Sequence, residues 1–287
     1  MNRKNSVAAG IATGVLATAL AVTVIPGQAS AGKSKPSHPA VGLTMTNRLV
    51  AFDLTTPERP RVLGKVTGLE GDARIVGIDY RVQDGKLYGV GDDGGVYTLS
   101  GNAKATKVSQ LTVALEGTRF GVDFNPAADR LRVISDTGQN LRHDVNAGGA
   151  TTVDSTLTYP ATPTAPAATA VGVSGAAYTN NDLDADTATS LFDLDTALDQ
   201  VTLQAPANAG LLSATGKLGV DAGSDAGFDI FSRQGGGTTQ INKGWATLQV
   251  NGKRHLFSVS LLTGDVDHAG RFPEWARVTD LAVKLDR

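Results

Sequence analysis

"GIDYRVQDGKLYGVGDDGG" (residues 77–95) and "GVDFNPAADRLRVISDTGQ" (residues 121–139) are the same segment written twice, 44 residues apart. Gly77-Ile78-Asp79-Tyr80 falls on Gly121-Val122-Asp123-Phe124, Lys86-Leu87 on Arg130-Leu131, and Asp92 and Gly94 on Asp136 and Gly138. A period of this size is the signature of a repeat architecture, and about 40–50 residues suits one four-stranded propeller blade. Within each copy, apolar and polar residues alternate as in half-buried strands. Turn chemistry separates the strands: Asn125-Pro126 starts one turn, and Asp136 with Gly138 fits another.

Outward from this pair, an apolar strand followed by a polar turn and a second β-rich strand recurs at 49–66, 95–108, 140–153, 190–203 and 255–269. Each is a hairpin signal. The strand before the hairpin recurs as "IVGIDY" (75–80), "FGVDF" (120–124), "VSGAAY" (173–178), "GFDIF" (227–231) and "VTDLAV" (278–283). The hairpin at 49–66 has no such strand before it, and the last such strand stands at the C-terminus. This predicts an all-β fold, a single five-bladed β-propeller whose C-terminal strand pairs with the N-terminal blade and leaves no free edge. Six blades is the alternative, because 205–226 and 232–254 have room for a further strand. "YPATPTAPAATA" (159–170) reads as an extended connector between blades.

The 34 glycines and low charged fraction of 19% fit a turn-rich β chain. Arg3 and Lys4, the apolar run Val7–Ile25 and "GQASAG" read as a secretory signal peptide over residues 1–31, cleaved after Ala31. A retained anchor is the rival, weakened by the Ala, Gly and Thr content and by Pro26-Gly27. Residues 32–40 read as a disordered lead-in, residues 41–287 as the propeller. With no cysteine, an exported chain must be stabilised by burial and closure instead of disulfides. A net charge of −2 argues against nucleic acid or anionic membrane as partner.

The block "GVDFNPAADRLRVISDTGQNLR", with "SGAAYTNN" (174–181), resembles a family of secreted bacterial propeller-like proteins catalogued only as a domain of unknown function. The resemblance spans about residues 41–286. It implies an extracellular propeller-like domain and supplies no catalytic residues.

Candidate sites therefore rest on the residues alone. Arg74, Asp79, Arg119, Asp123, Asp229 and Asp280 lie on or beside the inner strands, where a polar channel lining of alternating sign is expected, because buried charges must be paired. Arg130 and Arg132 alternate with Leu131 and Val133 on one strand face, and with Asn140 they either line a cleft or pair with Asp123, Asp129 or Asp144 between blades. Asp182, Asp184 and Asp186 stand at alternate positions, as in a Ca²⁺ loop, but the EF-hand pattern fails at Thr187 and Asp193. The four histidines show no metal spacing, and nucleophile-elbow and phosphate-loop glycine patterns are missing. "GWATL" reads as core strand, and Trp275 as a plug between the first and last blades or a stacking platform.

The expectation is an exported, monomeric, non-enzymatic propeller that binds an extracellular protein or glycan without a cofactor. The alternative is a secreted hydrolase or lyase with its site at the channel mouth, assisted by Ca²⁺. A structural envelope protein is a third reading.

Overall fold

The structure, a computed structural model, describes residues 38–287. The signal-peptide segment 1–31 and most of the lead-in lie outside the described residues.

Strands β1 (Pro39–Thr44), β2 (Arg48–Asp53) and β3 (Arg61–Lys65) open the chain. Blade 1 follows, with β4 (Ile75–Tyr80), β5 (Leu87–Gly91), β6 (Gly95–Leu99) and β7 (Ala105–Gln110). Blade 2 comprises β8 (Phe120–Asn125), β9 (Arg130–Ser135), β10 (Asn140–His143) and β11 (Thr151–Val153). A small hairpin, β12 (Thr158–Tyr159) and β13 (Ala168–Thr169), intervenes. Blade 3 is β14 (Val173–Tyr178), β15 (Leu191–Asp195), β16 (Gln200–Gln204) and β17 (Leu212–Lys217). Blade 4 is β18 (Ala226–Gly235), β19 (Thr238–Val250), β20 (Lys253–Val259) and β21 (Val266–Arg271). The last strand, β22 (Val278–Val283), pairs antiparallel with β1, Ala40 opposite Val283, to give a fifth sheet in the order β22-β1-β2-β3.

Among the described residues, five four-stranded sheets make a five-bladed propeller, with β4, β8, β14, β18 and β22 innermost. Neither of the two long stretches holds a sixth blade. Residues 205–226 supply β17, the outer strand of blade 3, after a short 3₁₀ turn (Ala207–Ala209), and residues 232–254 extend one hairpin of blade 4. The connector at 159–170 carries β12 and β13 instead of running extended throughout. The first strand begins at Pro39, inside the segment read as a disordered lead-in.

The burial gradient explains why strand types differ. Inner and second strands are mostly buried, except along the far ends of β18 and β19, whereas the outer strands β3, β7, β11, β17 and β21 alternate or face water. Five apolar clusters fill the five gaps between neighbouring blades, one per gap. Between blades 1 and 2, for example, Tyr88 and Phe124 meet edge to face at 5.1 Å. Burial between blades thus holds together a chain that has no cysteine and so no disulfide.

Polar clasps reinforce the gaps. Arg81 of blade 1 grips Asp129 of blade 2, its Nε donating at 2.7 Å. Arg132 in β9 is almost wholly buried and donates to Tyr178, Asn140, Asp154 and Asn208, joining blades 2 and 3. Asp154 also accepts from Arg142. Losing one partner of a buried pair typically costs about 3–5 kcal/mol. Arg132→Met should therefore lower the thermal midpoint by roughly 10 °C, given about 2–4 °C per kcal/mol for a domain of this size. Calorimetry checks this; a drop under about 2 °C would show that the clasp contributes little.

Candidate functional site at the channel mouth

Three inner strands, β4, β8 and β18, each bring an aspartate to the axis: Asp79, Asp123 and Asp229. One carboxylate oxygen from each lies within 4.8 Å of the others, and all three side chains are buried. Each also reaches across to the backbone of the next blade. Asp79 accepts the Phe124 N–H at 2.8 Å, Asp123 the Tyr178 N–H at 3.0 Å, and Asp229 the Val283 N–H at 2.5 Å. Asp280 of β22 does the same for Ile78 at 2.7 Å. Ala177 occupies the corresponding place in β14, and there Asn181 spans the gap instead, bonding Ser232 and Ile230 of blade 4.

These acids are staples at the axis, and their electrostatics follow from crowding. Burial pushes Asp79 and Asp123 well above the ordinary carboxylate range; Asp229 adds to the rise at Asp79, and Asp79 to that at Asp123. Asp229 rises to about 6 through burial, held down by the N–H groups of Val283 and Ile230. Three oxygens so close are the right donor type for a hard cation. Yet both oxygens of Asp79 and both of Asp229 already accept backbone N–H bonds. The trio's first role is to fasten blades.

The alternating ring of charge expected along the channel is not what forms. Arg74 and Arg119 stand one level away, at the mouth, where Arg74 lies 3.7 Å from Asp92 and Arg119 3.6 Å from Asp225. The reason is positional. The residue immediately before each inner strand falls at this end, and those residues are Arg74, Arg119, Gly172, Asp225 and Arg277. Arg74, Arg119 and Asp225 line a cavity of about 180 Å³ whose wall also includes Thr44, Asn47 and Asp280. Arg277 stands behind its rim, its carbonyl accepting the Met45 N–H at 3.1 Å. Arg254, only 3% exposed, reinforces the wall from β20, donating to both the carbonyl and the carboxylate of Asp225. The Nε groups of Arg119, Arg254 and Arg277 are buried and have no acceptor. Arg254 loses basicity through burial first, and the neighbouring Arg277 and Arg119 charges lower it further, while Asp225 opposes the fall.

The other sequence candidates serve structure. Arg130 pairs with Asp144 at 3.2 Å within its own blade, and Arg132 with Asp154. Asn140 donates to the Ser155 carbonyl and to that of Ala207 in the 3₁₀ turn. Asp123, offered as a partner for these arginines, faces the axis instead. Asp182, Asp184 and Asp186 do not converge: Asp182 caps the N–H groups of Asp184 and Thr239, and Asp184 caps Asp186. Trp245 is core, and Trp275 is half exposed. Asp225, Arg254 and Arg277 were not apparent from the repeat. A β-bulge between Ile75 and Gly77 shifts β4 by one residue, so the 44-residue offset aligns Arg74 with Thr118 instead of Arg119.

The family model described as a domain of unknown function, DUF4394, matches residues 48–282. The chain belongs to the DUF4394 family. Among solved structures, a Lactobacillus plantarum protein is 18% identical, covering 82% of this chain and 67% of its own, with a TM-score of 0.39. A protein of unknown function from Bacteroides thetaiotaomicron VPI-5482 is 11% identical, covering 88% and 68%, with a TM-score of 0.46. The computationally designed protein Ika8 is 10% identical, covering 86% and 63%, with a TM-score of 0.34. No curated protein matches. Family membership thus brings this DUF4394 chain no activity, and its function must be argued from the mouth cavity.

Proposed function

We propose that this DUF4394 protein is an exported, non-catalytic binding propeller that takes an extracellular protein or glycan at the channel mouth. The observation that carries the reading is the mouth cavity itself, to which blades 1, 2, 4 and 5 all contribute polar side chains. Concave pockets in which a few polar groups converge are the usual ligand sites. The exported setting rests on the segment read as a signal peptide.

Met45 on the rim is 55% exposed and lines the cavity, so Met45→Trp plugs it without disturbing the core. In a glycan array followed by calorimetric titration, a ligand of the wild type should bind at least ten-fold more weakly to Met45→Trp. Equal binding by both proteins places the ligand elsewhere and sinks the reading.

A hydrolase or lyase is the second reading, favoured by Asp280. Burial raises its carboxyl well above the usual range, which favours the proton-bearing form of an acid in the cavity wall. Appearance of new reducing ends or unsaturated products from a bound glycan, lost with Met45→Trp, would establish it. Ca²⁺ assistance in that reading requires the turnover to stop in EDTA and return with Ca²⁺.

A further inference from the structure

We infer that the group recognised at the channel mouth is an oxyanion: a carboxylate, sulfate or phosphate carried by the ligand. This rests on the reading that the mouth is the binding site, and it names the chemistry read there.

Around Asp225, guanidinium donors outnumber the acceptors available to them. Among the five residues that precede inner strands, three are arginines, one is Asp225 and one is glycine. Arg254 adds a fourth guanidinium and occupies Asp225 with both of its Nη groups. Arg119 is left 3.6 Å from the Asp225 carboxylate, beyond good hydrogen-bond range, with its Nη1 on the Thr118 carbonyl. Three Nε–H donors, on Arg119, Arg254 and Arg277, then remain buried without an acceptor. Buried donors are nearly always satisfied, so the unsatisfied Nε of Arg119 in the cavity wall, with the Arg254 and Arg277 charges close behind it, marks a place where an acceptor is brought from outside. Asp280, the other acid in the wall, already accepts the Ile78 N–H and is pushed toward its neutral form by burial, so it opposes an anion weakly.

Guanidinium is the right group for this task. Its planar fork matches carboxylate, sulfate and phosphate, and its weak hydration suits a partly desolvated site. Size agrees as well. At about 30 Å³ per water, a cavity of about 180 Å³ holds the volume of about six waters, enough for an oxyanion and the ring or chain bearing it. A polymer would have to present such a group from its end or side.

The test is calorimetric titration of the secreted protein in low-salt buffer with sulfate, phosphate and D-glucuronate, and with glucose as the neutral probe. At least one anion should bind with 1:1 stoichiometry while glucose does not, and the strongest of the three identifies the source chemistry. Arg119→Gln and Arg277→Gln should each weaken that binding at least ten-fold, whereas the control Arg59→Gln, on the exposed surface, should leave it unchanged. Arg119 is 37% exposed at its side chain, so Arg119→Gln keeps the test valid even if Arg277→Gln fails to fold. No binding of any anion overturns the inference, and so does binding that both arginine variants retain, an adventitious ion only. If neutral glycans bind and Met45→Trp blocks them while anions do not bind, the oxyanion inference falls and the mouth-binding reading stands. If neither class binds, both fall.

Discussion

Gly121→Val is expected to abolish cooperative folding, and Gly227→Ala to lower the thermal midpoint by more than 10 °C. Both residues sit on inner strands where the blades crowd the axis. A Cβ on Gly121 would lie 2.6 Å from the Ala176 nitrogen and 2.8 Å from the Gly175 carbonyl carbon. One on Gly227 would lie 2.4 Å from the Cα of Asp280. These neighbours are backbone of the next inner strand, so no rotamer change relieves the contact. Relief requires separating two blades, which would break the Asp123–Tyr178 staple and open the cluster around Ala176 and Tyr178. Overpacking of a core typically costs about 1–3 kcal/mol and more where the backbone must move. Gly101 is the control: a methyl there would meet nothing within 4 Å, and Gly101→Ala should melt with the wild type. Thermal unfolding followed by circular dichroism decides the matter. A Gly121→Val protein melting within about 2 °C of wild type would mean that the ring is far more compliant than its contacts indicate.

The second large effect is a fall in stability as pH rises from about 4 to above 6. Asp79, Asp123, Asp229 and Asp280 all hold protons more tightly in the folded chain than in the unfolded one. A group whose folded pKa is raised stabilises the fold fully below its unfolded value and loses that contribution as pH climbs through the folded value. For Asp229 the window runs from the ordinary 3.8 to about 6. Two pH units at about 1.4 kcal/mol each give roughly 3 kcal/mol from this group alone. The other three extend the decline upward. Asp123→Asn removes one of the mutually repelling carboxylates while its amide oxygen keeps an acceptor for the Tyr178 N–H. Its midpoint should therefore exceed the wild type's at pH 8, with the gap closing toward pH 4. A variant less stable than wild type at pH 8 would mean that the carboxylate charge is compensated there, and the repulsion argument would fail.

Much of the fold was legible in the chain because its determinants are local. Period-2 alternation, Asn-Pro and Asp-x-Gly turns and the 44-residue repeat place the inner strands and the five hairpins, but not β17, β19 or the long end of β18. The count of inner-strand motifs favours five blades over six, and the terminal motif points to pairing of β22 with β1. The repeat also locates Asp79, Asp123 and Asp229, yet it cannot say that they meet one another. Alternation along a strand tells which face a residue takes. It does not tell how far along the axis that face lies, and so the expected alternation of acid and base became an acidic layer with arginines above it. Nor could spacing reveal Asp225, Arg254 and Arg277 as one cluster.

The sequence alone therefore determined the class of architecture: strands, turns, a ring of five or six blades and the pairing of the last strand with the first, all set by periodicities of a few residues or one repeat. Only the tertiary structure decided the chemistry of the mouth. That depends on the stagger between blades and on a single β-bulge in β4, which moves Arg74 out of its repeat register and into the same ring as Arg119 and Arg277. Stagger of this kind is fixed by packing between strands some 45–55 residues apart in sequence, such as the Gly121 contact with Gly175 and Ala176, and no local pattern encodes it.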